Sequence, residues 1–260
     1  MKAITDQRVV CIIQARMGSS RLPGKVLRDL CGYPMVGWVA RRSGRAALVD
    51  QVVVATTRSA QDDPVAVFCH QAGIACFRGD EFDVLDRYYQ AALDQQADIV
   101  VRLTADCPLN DPQLIDATVE TLVREKLDFT ANRLPPPYQR TYPIGLDVEA
   151  ATFRALEMAW NDARERFERE HVMPYLYNPD HGFNIRVLHA DRDLGHYRWT
   201  VDTPEDYLFI TTVMKRMGCR EDFSWLDVVN LLEKEPELME INAGVRHKTM
   251  SDVDDRAVSN

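Results

Sequence analysis

No stretch of this 260-residue sequence approaches the ~20 consecutive apolar residues of a membrane span, which argues against a membrane protein. The opening MKAITDQR lacks the apolar centre of a secretion signal, so a cytoplasmic location is expected. Positive charge is in deficit. A net charge of −9 and a pI near 5.2 leave little for a nucleic-acid face, and no nucleic-acid partner is expected. Six cysteines, at 11, 31, 69, 76, 107 and 219, show neither C-x-x-C pairs nor the density of a disulfide framework. They are expected to be packing thiols in a reducing compartment, with no zinc or redox role. Internal repeats and low-complexity linkers are absent as well, so one domain over residues 1–248 is expected, followed by a mobile acidic tail at 249–260.

Against that acidic background, IIQARMGSSRLPGKVL (12–27) concentrates Arg16, Arg21 and Lys25 directly after an apolar, β-branched run, Val9 to Ile13. The run has the composition of a buried parallel strand, and Pro34 to Ala47 beyond the loop has a helical pattern. The loop therefore falls at a strand's C-terminal end, the edge where open α/β sheets bind ligands. Gly18, Ser19, Ser20 and Gly24 let backbone N–H groups turn toward an anion, while the arginine forks and the lysine point charge suit a triphosphate. A Walker A loop is excluded, because five residues separate Gly18 from Gly24 and Val26 follows Lys25. A G-x-G-x-x-G fingerprint is missing too. A merely solvated basic loop is the alternative.

Downstream, strands and helices alternate: strand Gln51 to Thr56, helix Asp62 to Gln71, strand Ile74 to Phe77, helix Phe82 to Gln95, strand Asp98 to Leu103. Such a βαβ series predicts a Rossmann-like, mostly parallel sheet flanked by helices. Asp111-Pro112 caps a helix to about Lys126, and Leu127 to Thr130 is a short strand candidate. From Arg133 the pattern changes. Pro135, Pro136, Pro137 and Pro143 interrupt a stretch that either covers a site or meets another subunit. A strand at Leu146 to Glu149 is expected next, then helices at Ala151 to Asn161 and Glu165 to Tyr177. Strands at Phe183 to His189 and Tyr197 to Val201 precede a helix opened by Thr203-Pro204-Glu205.

Two carboxylates stand at strand ends on that edge. Asp106 follows the strand ending at Leu103, and Asp202 follows HYRWTV. Magnesium takes one or two carboxylates and fills its shell with waters and phosphate oxygens, so the two acids suit one ion beside a triphosphate. Singly, Asp106 also fits a turn residue ahead of Pro108, and Asp202 the capping position of the following helix.

The loop A-R-x-x-S-x-R-L-P-x-K, Asp106-Cys107-Pro108 and VDTPEDY together resemble the cytidylyltransferase family that includes the CMP-Kdo and CMP-sialic acid synthetases. QARMGSSRLPGKVL, RLTADCPL, TYPIGLDVE, REHV and RWTVDTPEDY are similar to the SpsF-like branch of surface and spore-coat polysaccharide synthesis, over about residues 9 to 218. The sequence departs from that branch at Ile144, where an acid is frequent, and this bears on the choice of acceptor.

The resemblance implies a nucleotide-diphospho-sugar transferase type of fold with a small dimerisation and acceptor-side extension. It divides the chain into a nucleotide half (9–130), an acceptor and dimerisation part (131–200) and a closing strand with helices (196–235). It also implies transfer of CMP from CTP to a small sugar acceptor with release of pyrophosphate, Mg2+ as cofactor, and a homodimer. By motif, Arg16, Arg21 and Lys25 hold the triphosphate together with the loop residues Ala15, Met17, Gly18, Ser19 and Ser20, and Asp106 and Asp202 hold the metal. Thr56 and Thr57 belong to the base-reading turn; Arg102, Thr104 and Ala105 lie on the nucleotide side. Arg140, Tyr142, Asp147, Glu149, Glu170 and His171 are acceptor-side candidates, although Glu170 and His171 also fit a structural bridge. The remaining histidines, at 70, 181, 189, 196 and 247, show no ligand spacing. A nucleotidyltransferase of the same fold using another nucleotide or a sugar phosphate, and a non-catalytic nucleotide-binding protein, are the competing expectations.

Overall fold

The computed structural model describes residues 4–246, so His247 and the expected tail at 249–260 lie outside the described residues. β1 (Val9–Gln14) leads through the basic loop and a helical turn at Lys25–Leu27 into a small hairpin, β2 (Asp29–Leu30) and β3 (Tyr33–Pro34). Then follow α1 (Met35–Ser43), β4 (Gln51–Thr57), α2 (Asp63–Ala72), β5 (Ala75–Gly79), α3 (Val84–Asp94) and β6 (Ile99–Thr104). The chain continues with α4 (Pro112–Arg124), β7 (Phe129–Ala131), β8 (Glu149–Thr152), α5 (Phe153–Asp162), α6 (Arg166–His171) and α7 (Pro174–Tyr177). β9 (Ile185–Val187), α8 (Pro204–Arg216) and α9 (Trp225–Lys234) complete it.

Seven strands form one sheet in the order β5-β4-β1-β6-β8-β7-β9. β5, β4, β1 and β6 run parallel, and β8 is antiparallel to both its neighbours. Strands covered on both faces are apolar throughout rather than alternating, which is the case for β1. Val9, Cys11 and Ile13 enter one core with α1, α4, α8 and α9, and Val10 and Ile12 enter the other with α3 and α5. The register sets Gln14 beside both Ala55 and Thr104, and Arg102 opposite Glu149. The C-terminal ends of β1, β4 and β6 thus share one edge with the start of β8. No helix among the described residues is long and apolar enough to cross a membrane.

Several expected elements move. The strand expected at 146–149 begins only at Glu149, because Asn132 takes the backbone just before it: its amide Nδ2 donates to the Leu146 carbonyl at 2.8 Å and its Oδ1 accepts from the Val148 N–H at 2.8 Å. The helix expected at 165–177 is two short ones. Val172 adopts φ +74°, and Pro174 cannot continue the first helix. Residues 197–201 form no strand. Wedged between two loops, they are tied by N–H bonds from Ile144 to the Tyr197 carbonyl (2.8 Å), from Trp199 to Ile144 (2.6 Å) and from Val201 to Asp106 (2.9 Å). The expectation of six free thiols is corrected as well: Cys31, in the hairpin turn, is bonded to Cys219 just past α8, with Cα atoms 5.8 Å apart. A separation of 188 residues carries no spacing signal, since the fold alone brings the two together.

Candidate functional site

The basic loop is built as a closed ring. Gly24, at φ +69°, donates its N–H to the Met17 carbonyl at 3.0 Å, and buried Leu22 and Val26 pin the far side to the core. Its start is fixed by Asp62, which the sequence did not single out. The buried Asp62 carboxylate accepts from the Met17 N–H at 2.6 Å and from the Thr57 hydroxyl, so loop and β4 end are braced together.

Closing the ring puts Lys25 in a helical turn aimed inward. Its ammonium donates to Asp106 Oδ2 at 2.6 Å, Asp202 Oδ1 at 2.8 Å and the Val201 carbonyl at 2.8 Å. Arg21 reaches the other oxygen of Asp202 at 3.1 Å. The two acids are thus brought together around one cation. Burial alone would lower the Lys25 pKa, but the charges of Asp106 and Asp202 outweigh it and raise it. For Asp202 burial pushes upward, and the opposing charge and hydrogen bond of Lys25, with Arg198 and Arg21, hold the carboxyl well below the usual range. Arg16 is near enough to Arg87 for its charge to add to the burial that, first, lowers the pKa of the Arg87 guanidinium.

Next along the edge, the Thr56 hydroxyl is buried without a hydrogen-bond partner, and the Thr57 carbonyl accepts from Arg78 Nε at 2.8 Å. The Ala105 N–H donates to the Gln14 carbonyl at 3.0 Å, and the Thr104 hydroxyl meets the Cys107 thiol at 3.2 Å. Cys107, buried beside Asp106, has its pKa pushed well up by burial first and by the Asp106 charge, so it sits there as a neutral thiol.

A second cluster forms where β8 joins the edge. Arg102 pairs with Glu149 directly across the strands and donates to Gln14 Oε1 at 3.1 Å. His171 lies within the field of Arg102 and Arg133. Burial, then these two charges, push its pKa down to about 4, leaving a neutral imidazole at neutral pH. Tyr177 feels the same groups, with burial and Glu149 raising its pKa. Glu170 is half-buried on α6. Arg140 and Asp147 form a forked ion pair with each other, and Tyr142 packs on Trp225 of α9 with ring centres 5.5 Å apart. Of the acceptor-side candidates, Glu149 is therefore paired with Arg102, and His171 feels the same charge. A cavity of about 430 Å³ opens beside Arg21, lined also by Thr203, Glu205, Ile241, Gly244, Val245 and Arg246.

No group of three or more His, Cys, Asp or Glu side chains able to hold a metal occurs among the described residues. Asp106 and Asp202 alone still fit magnesium: two hard carboxylate oxygens already converge on a single cationic atom, and this ion takes its remaining ligands from water and phosphate.

A family model described as cytidylyltransferase matches residues 10–241 of the chain. A structure of a cytidylyltransferase from Leptospira borgpetersenii superposes with a TM-score of 0.85 at 33% identity, covering 93% of this chain and 100% of that one. The spore coat polysaccharide biosynthesis protein SpsF of Bacillus subtilis is 32% identical over 236 residues, 88% of this chain and 95% of its own. A 3-deoxy-manno-octulosonate cytidylyltransferase of Anaeromyxobacter dehalogenans is 33% identical over 237 residues, 77% of this chain and 95% of its own.

Proposed function

The chain belongs to the cytidylyltransferase family, and from that premise we propose that it transfers CMP from CTP to an acidic or otherwise unusual sugar, releasing pyrophosphate. The observation that carries the reading is the meeting of Arg21 and Lys25 with Asp106 and Asp202 at the C-terminal edge of the sheet. The similarity to a spore-coat polysaccharide protein and to a 3-deoxy-manno-octulosonate cytidylyltransferase supports a product destined for surface polysaccharide or glycoconjugate.

In this reading residues 9–130 hold the nucleotide and 131–200 the acceptor, with 196–235 closing the site. Arg16, Arg21 and Lys25 grip the triphosphate together with the N–H groups of Ala15 to Ser20, and the turn at Thr56 and Thr57 faces the base. Arg102, Thr104 and Ala105 line the step from nucleotide to acceptor. Arg140, Tyr142, Asp147, Glu149, Glu170 and His171 serve the acceptor side, where the neutral His171 imidazole can accept a hydrogen bond from a sugar hydroxyl. Asp106 and Asp202 would hold Mg2+, which when bound supplies a divalent charge to the phosphate oxygens. An acceptor hydroxyl oxygen attacks the α-phosphorus in line as its proton passes to solvent, the bond from the α-phosphorus to the bridging oxygen breaks, and Arg21 and Lys25 stabilise the departing pyrophosphate. Positioning and preorganised charge carry the rate. The same reading makes the protein a cytoplasmic homodimer acting on small molecules, with neither nucleic acid nor membrane as partner.

The test is pyrophosphate release from CTP, UTP, GTP and ATP, each with Mg2+ and a panel of ulosonic acids. CTP-dependent release with at least one acid is expected, and Asp106→Asn should lower it by about a thousandfold, the rate equivalent of ~4 kcal/mol, without changing the circular dichroism spectrum. Preference for another nucleotide would give the activity to a different nucleotidyltransferase. Nucleotide binding without turnover on any acceptor would leave a non-catalytic binding protein.

A further inference from the structure

Asp202 is held from behind by groups to which the proposed reaction gives no part. The Arg198 side chain, 7% exposed, donates from Nε to Asp206 Oδ1 at 2.9 Å and from Nη2 to Asp206 Oδ2 at 2.9 Å. The same Nη2 donates to Asp202 Oδ2 at 2.8 Å. Asp206 is fully buried and also accepts from the N–H groups of Asp202 (3.0 Å) and Thr203 (3.1 Å). Asn242, on the far segment of the chain, donates from Nδ2 to the Arg198 carbonyl and to Asp206 Oδ1, both at 3.0 Å.

A helix cap needs only part of this. The Asp206 carboxylate with the Thr203 hydroxyl completes the capping box of α8 without any guanidinium. Bringing Arg198 into the interior carries a desolvation cost that two hydrogen bonds to Asp206 offset, and its third contact goes to the carboxylate of Asp202. That contact takes Oδ2 and leaves Oδ1 turned toward Asp106 Oδ2, the pair that Lys25 now bridges. Arg21 also touches Oδ2, but from a more exposed position among the loop residues.

We propose that Arg198 is a positioning residue: clamped by Asp206 and Asn242, it fixes the rotation of the Asp202 carboxylate so that Oδ1 faces the cation shared with Asp106. The inference rests on the reading that these two acids hold the metal. Arg198 itself touches no reacting atom, and its effect falls on metal affinity rather than on the grip on nucleotide.

The test measures Mn2+ affinity by electron paramagnetic resonance in the presence of α,β-methylene-CTP, and affinity for that analogue without metal by calorimetry. In Arg198→Met, Mn2+ affinity should weaken by about tenfold or more while nucleotide affinity stays within about twofold, with Arg198→Lys between wild type and Met because it keeps the charge but not the fork. Unchanged Mn2+ affinity, or an equal fall in both affinities, overturns the proposal. If the Met variant does not fold, the Lys variant is judged by the same two outcomes. A wild-type protein that binds no Mn2+ beside the nucleotide overturns the metal reading and this one with it.

Discussion

His171 shows how one side chain links the site to pH. Its imidazole is held neutral by burial and by Arg102 and Arg133, with a pKa of about 4 against about 6.5 for an ordinary histidine. Between those values the unfolded chain binds a proton that the folded protein refuses, so stability is fully present above pH 6.5 and is lost as pH falls toward 4. Against His171→Gln, which does not titrate, the wild type should lose about 2 kcal/mol more unfolding free energy between pH 7 and 5. Urea denaturation at the two pH values measures this, and parallel losses would show that His171 is not held neutral. Asp202, with its lowered pKa, acts in a more acidic window and does not confuse the comparison. At this scale the sequence displayed Arg21, Lys25, Asp106 and Asp202, which the structure brings into contact, because charged residues at strand ends stand out. It did not display Asp62 or Arg198. Each acts through a partner 44 or 45 positions away, which no local pattern encodes.

Among the elements, the parallel βαβ series was legible because apolar runs and capping residues are local signals. The antiparallel insertion was not, since Asn132 and the 197–201 segment depend on contacts between distant loops. Gly145 is one place where this packing is tight. Its φ is +101°, and an added Cβ would lie 2.6 Å from the Thr200 nitrogen and the Trp199 carbonyl carbon, in the segment that delivers Asp202. Backbone on that side cannot yield as a side-chain tip would. Gly145→Ala should therefore destabilise by about 3 kcal/mol or more, combining left-handed strain with a steric clash. Gly182→Ala is the comparison: φ is +70° there, nothing lies within 4 Å, and strain alone should cost about 1–2 kcal/mol. Equal costs in chemical denaturation would mean that the 197–201 segment gives way, and that its fit against Gly145 does not place Asp202.

Over the whole molecule, the two arms of the site come from opposite ends of the chain: Lys25 just ahead of the β2–β3 hairpin, and Asp202 just ahead of α8. The Cys31–Cys219 bond joins the hairpin turn to the C-terminal end of α8, stapling together the elements that follow each arm. A link closing 188 residues restricts the unfolded chain, and its loop-closure contribution is about 2–5 kcal/mol. Each kcal/mol is worth roughly 2–4 °C in a chain of this length, so treatment with dithiothreitol should lower the melting temperature by about 5–15 °C. Cys31→Ser should reproduce that shift and should respond no further to reductant. Because Lys25 also binds both Asp106 and Asp202 directly, nucleotide affinity at 25 °C should survive reduction. Scanning calorimetry with and without reductant decides the matter: an unchanged melting temperature would show that this bond does not hold the two arms, and that the ion pairs around Lys25 join them unaided.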